Sequence, residues 1–340
     1  MSARPISVKR HAVLLLGALA WLAYPVLAGA DPRTWLERMA YALEYLNYEG
    51  TLIQLQGSEA AVMRIVHRVK DGVPTERITA MDEVGREIIR QGEDVTCILP
   101  DQNAVVVEYR ENQKRDASPL RLQFSRNMYF DDRYYRLAIA SGGKLVGRDT
   151  RVVTVRPPDG FRYGYLLWLD HATAIPLKVQ VSDEGGTVVE QLLFSDISLP
   201  EEIPDSAVQP SGVTDSYTWH RSSKEEATGE VTESPAGWRV ESLPPGFTLK
   251  AVRAQRSGAS GEPLDHLVYS DGVATVSVFL ESGVAPDEQS EGPSRAGAAN
   301  AYTRVADGRL ITAVGEVPVR TVETIARSIR PVRSAPPATR

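Results

Sequence analysis

The chain has 340 residues, 42% of them hydrophobic and 24% charged, with 38 basic side chains against 44 acidic ones. That length accommodates two domains, each with its own core, while the acidic balance argues against general nucleic-acid binding, which needs a positive face. Cys97 is the only cysteine, so no intramolecular disulfide forms; sharing a strand face with Val95 and Leu99, it reads as a small buried apolar group.

The first thirty residues stand apart. Arg4, Lys9 and Arg10 precede an apolar run over residues 12–27, and Ala28-Gly29-Ala30 supplies small residues for cleavage. This pattern predicts a secretory signal peptide over residues 1–30. An uncleaved membrane anchor is the competing reading, but the run is short for a bilayer span and contains Pro25. Cleavage leaves 35 basic against 44 acidic residues, a formal charge of −9, on an exported chain.

Asp31 and Pro32 form a helix start, after which Trp35, Leu36, Met39, Ala42, Leu43 and Leu46 recur at helical spacing. Strand-like runs follow at 50–56, 61–70, 75–80, 86–90, 94–99 and 105–109. The links are short turns such as Gly57-Ser58 and Asp71-Gly72, so neighbouring strands run antiparallel. Residues 118–140 read as helices or irregular cover. Strands resume at 151–155, 163–169, 177–181 and 187–194, completing one domain over residues 31–203. Residues 204–237 carry Pro204, Pro210, Gly212 and Pro235-Ala236-Gly237 and read as an exposed connection; Tyr217 and Trp219 predict that part of it packs on a domain. A second domain over 238–330 holds strands near 239–242, 248–255, 265–270 and 275–280, the last two joined by Ser270-Asp271-Gly272. Residues 282–299 read as a loop. Strands at 302–305 and 309–314 then pair across Ala306-Asp307-Gly308, and Pro318 introduces a final helix with Val322, Ile325, Ala326 and Ile329 on its apolar stripe. Residues 331–340 read as a disordered tail.

Residues 162–179 carry large apolar groups on both strand faces. Tyr163, Tyr165, Leu167 and Leu169 lie on one side, Leu166 and Trp168 on the other. Such a sheet is covered twice or encloses cargo; for Trp168, packing under a covering helix and contact with cargo both remain open. No nucleophile elbow, phosphate loop, dinucleotide fingerprint or zinc-binding helix is present. His67, His171, His220 and His266 are scattered, with no metal-ligand spacing. The pairs Asp170-His171 and Asp265-His266 place their side chains on opposite strand faces and read as turn or surface pairs. These residues predict a binding protein without catalytic residues, metal or cofactor. Within 110–136, Arg110, Lys114, Arg115, Arg121, Arg126, Arg133 and Arg136 alternate with Leu120, Leu122, Phe124, Met128, Tyr129, Phe130, Tyr134 and Tyr135. One reading is a covering helix with solvated charges. The other is a lid over an apolar cavity, its cations meeting anionic headgroups.

Several short motifs in this order carry a resemblance: Leu46-Asn47-Tyr48-Glu49-Gly50-Thr51, the run from Arg162 to Asp170, Glu201-Glu202-Ile203-Pro204, Tyr269-Ser270-Asp271-Gly272 and Val314-Gly315-Glu316-Val317-Pro318. From about Trp35 to Ile329 the chain resembles the RseB/MucB family of periplasmic negative regulators of the envelope-stress sigma factor. The resemblance implies an α+β protein: an N-terminal LolA-like curved antiparallel half-barrel with covering helices, then a smaller mixed α+β domain. It implies binding of the periplasmic domain of a membrane anti-sigma factor of the RseA or MucA type, keeping it from regulated proteolysis, with lipid or lipopolysaccharide relieving that protection. The lipid-binding residues expected on this basis are Arg121, Phe124, Arg126, Met128, Tyr129, Tyr163, Tyr165 and Trp168. A homodimer stays open, as does control of alginate synthesis. The rival is a periplasmic lipid or lipoprotein carrier, which has no need of residues 238–330.

Overall fold

The computed structural model describes residues 31–109, 130–212, 214–221, 230–231, 238–256, 263–282 and 291–331. Helix α1 (Pro32–Tyr45) opens at Asp31, whose carboxylate accepts the Arg33 backbone N–H at 3.0 Å. The missing N–H of Pro32 falls where no intrahelical partner exists. Trp35, Leu36, Met39, Ala42 and Leu43 form its buried stripe, each larger side chain contributing about 2 kcal/mol on burial.

An open sheet receives that stripe. Its strands are β1 (Tyr48–Gln56), β2 (Glu59–Lys70), β3 (Val73–Ala80), β4 (Glu87–Gln91), β5 (Asp94–Leu99), β6 (Ala104–Tyr109), β7 (Arg136–Leu145), β8 (Arg148–Arg156), β9 (Gly164–Asp170), β10 (Pro176–Ser182), β11 (Val188–Ser198) and β12 (Thr218–Arg221). The spatial order is β12-β6-β5-β4-β3-β2-β1-β11-β10-β9-β8-β7. Two antiparallel runs thus meet where β11 returns beside β1. That junction needs Gly50, because a Cβ there would strike the Asp196 carbonyl and the Phe194 ring. Cross-strand partners share a face, and the inner row Leu192, Val179, Leu167 and Val153 is buried against α1. The outer row Ile53, Leu193, Lys178, Trp168 and Val152 lies in register on the opposite face and is half-exposed.

Two stretches differ from expectation. β7 begins at Arg136, inside the stretch read as cover: Leu137 and Ile139 alternate inward, but Ala138, Ala140 and a bulge at Ser141/Gly143 blur the period. Gly292–Ala296, read as loop, is a strand pairing with the next one; its Gly, Pro and Ser content belongs to an exposed edge, where Pro is tolerated.

The connection after β11 runs back across the outer face of β2–β6. Ile203 and Val208 bury against Val66, Arg68 and Lys70 hold Asp205, and Ser211 donates to Glu87, which also pairs with Arg77 at 2.8 Å. Tyr217 packs against Ile98, Val105 and Val107 before β12 adds in parallel to β6, leaving Trp219 exposed.

The second domain has the sheet β13-β15-β16-β17-β20-β19-β18, formed by β13 (Glu230–Val231), β15 (Thr248–Arg256), β16 (Pro263–Ser270), β17 (Thr275–Ser282), β18 (Gly292–Ala296), β19 (Ala299–Ala306) and β20 (Arg309–Gly315). A separate pair joins β14 (Trp238–Val240) to β21 (Ile329–Pro331). Helix α2 (Val319–Ser328) buries Val322, Ile325 and Ala326 in the same core as Val276, Val278, Ile311 and Ala313. Arg304 donates to the carbonyls of Ala326 and Ile329 at 2.9 and 2.8 Å, a cation at the end where the helix leaves carbonyls unsatisfied.

His266 lies within this domain, not on its surface. It stacks on Phe279 at 4.5 Å and shares a hydrogen bond with Ser277 Oγ at 3.0 Å. Burial, with the charge of Arg253 adding, pushes its pKa down to about 4. The folded domain therefore resists a proton that the unfolded chain takes up near pH 6.5. Stability should fall as pH drops from 6.5 toward 4, by about 3 kcal/mol from this group. Urea unfolding at pH 7 and pH 4.5 should show His266→Phe reducing the difference by about 2 kcal/mol; an unchanged difference would refute the assignment.

Candidate functional site at the domain seam

Arg162, just before β9, is 1% exposed although it carries a permanent charge. Its guanidinium is satisfied on every side. Nε donates to Asp271 at 2.5 Å, Nη1 to Asp159 at 2.6 Å and Nη2 to the Pro245 carbonyl. The rings of Tyr134, Phe247 and Tyr135 surround it at 4.8, 5.1 and 5.6 Å. Burial alone would lower its pKa, but the hydrogen bond and charge of Asp271 outweigh that and raise it. Gly246, at φ +86°, lets the loop pass under Tyr134; a Cβ there would come within 2.5 Å of the ring.

Asp271 belongs to the second domain, and its side chain is fully buried. One carboxylate oxygen accepts from Arg162 and from the Tyr135 hydroxyl at 2.7 Å. The other accepts the backbone N–H groups of Val273 and Ala274 at 2.9 and 2.8 Å. A single side chain thus shapes the β16–β17 turn and fastens it to the first domain. Burial, then the charge and hydrogen bond of Asp271, push the Tyr135 pKa far up, so the hydroxyl stays a donor.

Further contacts continue the seam. Asn300 Nδ2 donates to Tyr163 Oη at 2.8 Å and to the Val317 carbonyl at 2.7 Å. Thr321 donates to the Phe161 carbonyl at 2.7 Å, and Arg320 stacks on the Phe161 ring. Val273 and Ala298, at two hairpin tips of the second domain, are buried in the core of the first. Three motifs separated widely in sequence therefore meet here: Arg162 to Asp170, Tyr269 to Gly272, and Val314 to Pro318.

The remaining motifs are structural. Asn47 accepts from Val69 N and donates to the Glu201 carbonyl at 2.6 Å. His67 donates to the Leu46 carbonyl at 2.8 Å and stacks on Tyr48. Asp170 is buried in an ion pair with Arg148 at 2.9 Å and accepts from Thr173, while exposed His171 lies beside Trp35.

Models of known families match both parts of the chain. One described as the MucB/RseB N-terminal domain covers residues 31–212, and one described as the MucB/RseB C-terminal domain covers residues 232–330. The chain belongs to the MucB/RseB family. The sigma factor AlgU regulatory protein MucB of Pseudomonas aeruginosa is 32% identical over 331 residues, spanning 95% of this chain and 98% of its own length. The sigma-E factor regulatory protein RseB of Haemophilus influenzae is 26% identical over 301 residues, spanning 87% and 90%. Among solved structures, MucB in complex with MucA(peri) superposes with a TM-score of 0.66 at 27% identity, over 89% of this chain and all of that one. The crystal structure of MucB gives 0.60 over 90% and 99%.

In this MucB/RseB chain the expected lipid-binding residues do not form one group. Arg121, Phe124, Arg126, Met128 and Tyr129 lie outside the described residues. Tyr163 and Tyr165 face the seam: Tyr163 meets Asn300, and Tyr165, its pKa raised first by burial, senses the charges of Glu316 and Asp271. Trp168 stands on the outer face with Lys178 Nζ 4.6 Å above its ring. Sequence reasoning missed Arg162 and Asp271 as partners; an Arg opening an apolar strand was the available signal. Among the described residues no cluster of three or more His, Cys, Asp or Glu is placed to hold a metal, and no helix is long and apolar enough to cross a membrane.

Lysine at 162 can replace at most part of the three-way fork, leaving Asp271 buried without its full partner at a cost of about 3 kcal/mol. Calorimetry of Arg162→Lys should show the melting of the two domains separating into two transitions; one transition at the wild-type temperature would contradict this account of the seam.

Proposed function

We propose that this protein is an exported regulator that binds the periplasmic domain of a membrane anti-sigma factor, shields it from regulated proteolysis, and so keeps an envelope-stress sigma factor inactive. The observation that carries this reading is the family match over both domains, with a relative at 32% identity named as a sigma factor regulatory protein. Solved structures of relatives in complex with MucA support the choice of partner. The seam supports it physically, since a buried network joining two domains provides an arrangement that a partner can read.

Lipid or lipopolysaccharide relieves the protection in this reading. An acyl chain gains about 0.8 kcal/mol per buried methylene, whereas an exposed ion pair contributes about 0–1 kcal/mol. Affinity for lipid then comes from apolar burial, and basic residues such as Arg121 and Arg126 set headgroup preference.

Binding linkage is reciprocal. Calorimetric titration of lipopolysaccharide should give weaker binding when the anti-sigma periplasmic domain is already bound, by the same factor with which lipopolysaccharide weakens the protein partner. Equal lipid affinity with and without the partner would overturn the lipid arm. Failure to capture a single-span anti-sigma factor from inner-membrane extract would overturn the whole reading.

A further inference from the structure

The outer face of the first domain is covered only in part. The connection after β11 buries Ile203 and Val208 on Val66 and packs Tyr217 on Val105, while the face around Trp168 stays half-exposed. The outer row at Trp168 extends in register to Val62 on β2 and Ala140 on β7, about 29 Å across at ordinary strand spacing. A second row beside it holds Leu55, Gln191, Gln180, Leu166, Thr154 and Ala138. Val62 and Leu55 are 40% and 37% exposed. Neither row contains an acidic side chain, in a chain that has 44 of them.

The charges that stand with these rows are cations. Lys178 Nζ sits 4.6 Å over the Trp168 ring. Arg136 and Arg156 are direct cross-strand partners and both are exposed, a pairing of like charges that costs stability unless an anion meets them. Neither forms an ion pair among the described residues, and Arg136 reaches the Asp132 carbonyl instead. Acids bordering the rows are committed elsewhere: Asp170 pairs with Arg148, and Glu49 and Asp196 share Arg64.

We propose that this outer face is a docking surface for an anionic phospholipid bilayer, with Trp168, Leu166 and Leu193 at headgroup depth and Lys178, Arg136 and Arg156 on the phosphates. Charge complementarity selects the occupant. Indole rings settle at the headgroup level of a bilayer, and lysine stems lie along apolar surface with the ammonium turned to phosphate. A bilayer asks for these residue types without the fitted packing that a protein partner requires. Each cation brought to an anionic surface strengthens binding about fivefold, while the negative charge of the rest of the chain is screened beyond about 10 Å at about 0.1 M salt. The second domain packs on the inner side of the sheet through Val273 and Ala298, so the seam and this face are separate surfaces.

The test uses the full mature chain. Vesicles of equal parts phosphatidylglycerol and phosphatidylcholine should co-sediment it at about 0.1 M salt, and vesicles of phosphatidylcholine alone should not. Arg156→Glu/Lys178→Glu should weaken capture about twentyfold. Arg239→Glu/Lys250→Glu, the same change of net charge on exposed positions of the second domain, should change it by less than about twofold. Hydroxyl-radical labelling of the wild type needs no variant: the mixed vesicles should protect Trp168 and leave Trp219, exposed on β12 at the other end of the sheet, unprotected. No capture by the mixed vesicles, equal capture by both lipids, equal loss in the two variants, or an unprotected Trp168 each overturns the proposal. Trp168 protected by the anti-sigma periplasmic domain and not by vesicles also overturns it, and gives the face to a protein partner.

Discussion

A guanidinium and a carboxylate held out of water between two domains set the terms for this molecule. Arg162 and Asp271 are 109 residues apart in sequence and 2.5 Å apart in space. Removing Arg162 strands the buried Asp271 carboxylate without a cation, at about 3–5 kcal/mol, whereas removing Asp271 leaves Arg162 with Asp159 alone. The pair is therefore strong as a constraint on arrangement, even though its net contribution to stability over apolar replacements is small. Everything placed against it inherits a fixed position: the Tyr134 and Tyr135 rings, the Pro245–Phe247 loop, and the β16–β17 turn that carries Val273.

Most of the strands were legible in the sequence because period-two alternation and short polar turns state them locally. The β19–β20 hairpin across Asp307-Gly308 and the apolar stripes of both helices follow from spacing alone. β7 and β18 were obscured where alanine, glycine and proline replace the branched residues that usually mark a strand. The seam was illegible for a different reason. Arg162, Asp271, Asn300 and Val317 are each ordinary in their own neighbourhoods, and only the fold brings them together. Tyr163 and Tyr165 were read as sharing one strand face, but periodicity cannot say that what lies against that face is another domain. The family motifs held that information without displaying it, since their spacing along the chain says nothing about convergence.

The apolar character of both faces of β9 also takes on meaning. Its inner face is committed to α1 and to the second domain, while its outer face, with Trp168 under Lys178, is half-exposed. The second domain supplies part of the cover for that inner face through Val273 and Ala298, which are buried in the first domain's core.

The most direct measurement is the distance between the two domains in solution, from pulsed electron spin resonance with labels at exposed Ser195 and Ser294 and Cys97 replaced by serine. If the Arg162–Asp271 pair fixes the arrangement, the wild-type protein gives one narrow distance distribution, and Arg162→Met gives a broad one with both domains still folded. A narrow, unchanged distribution in the variant would show that the domains are held together by something else and would contradict the account.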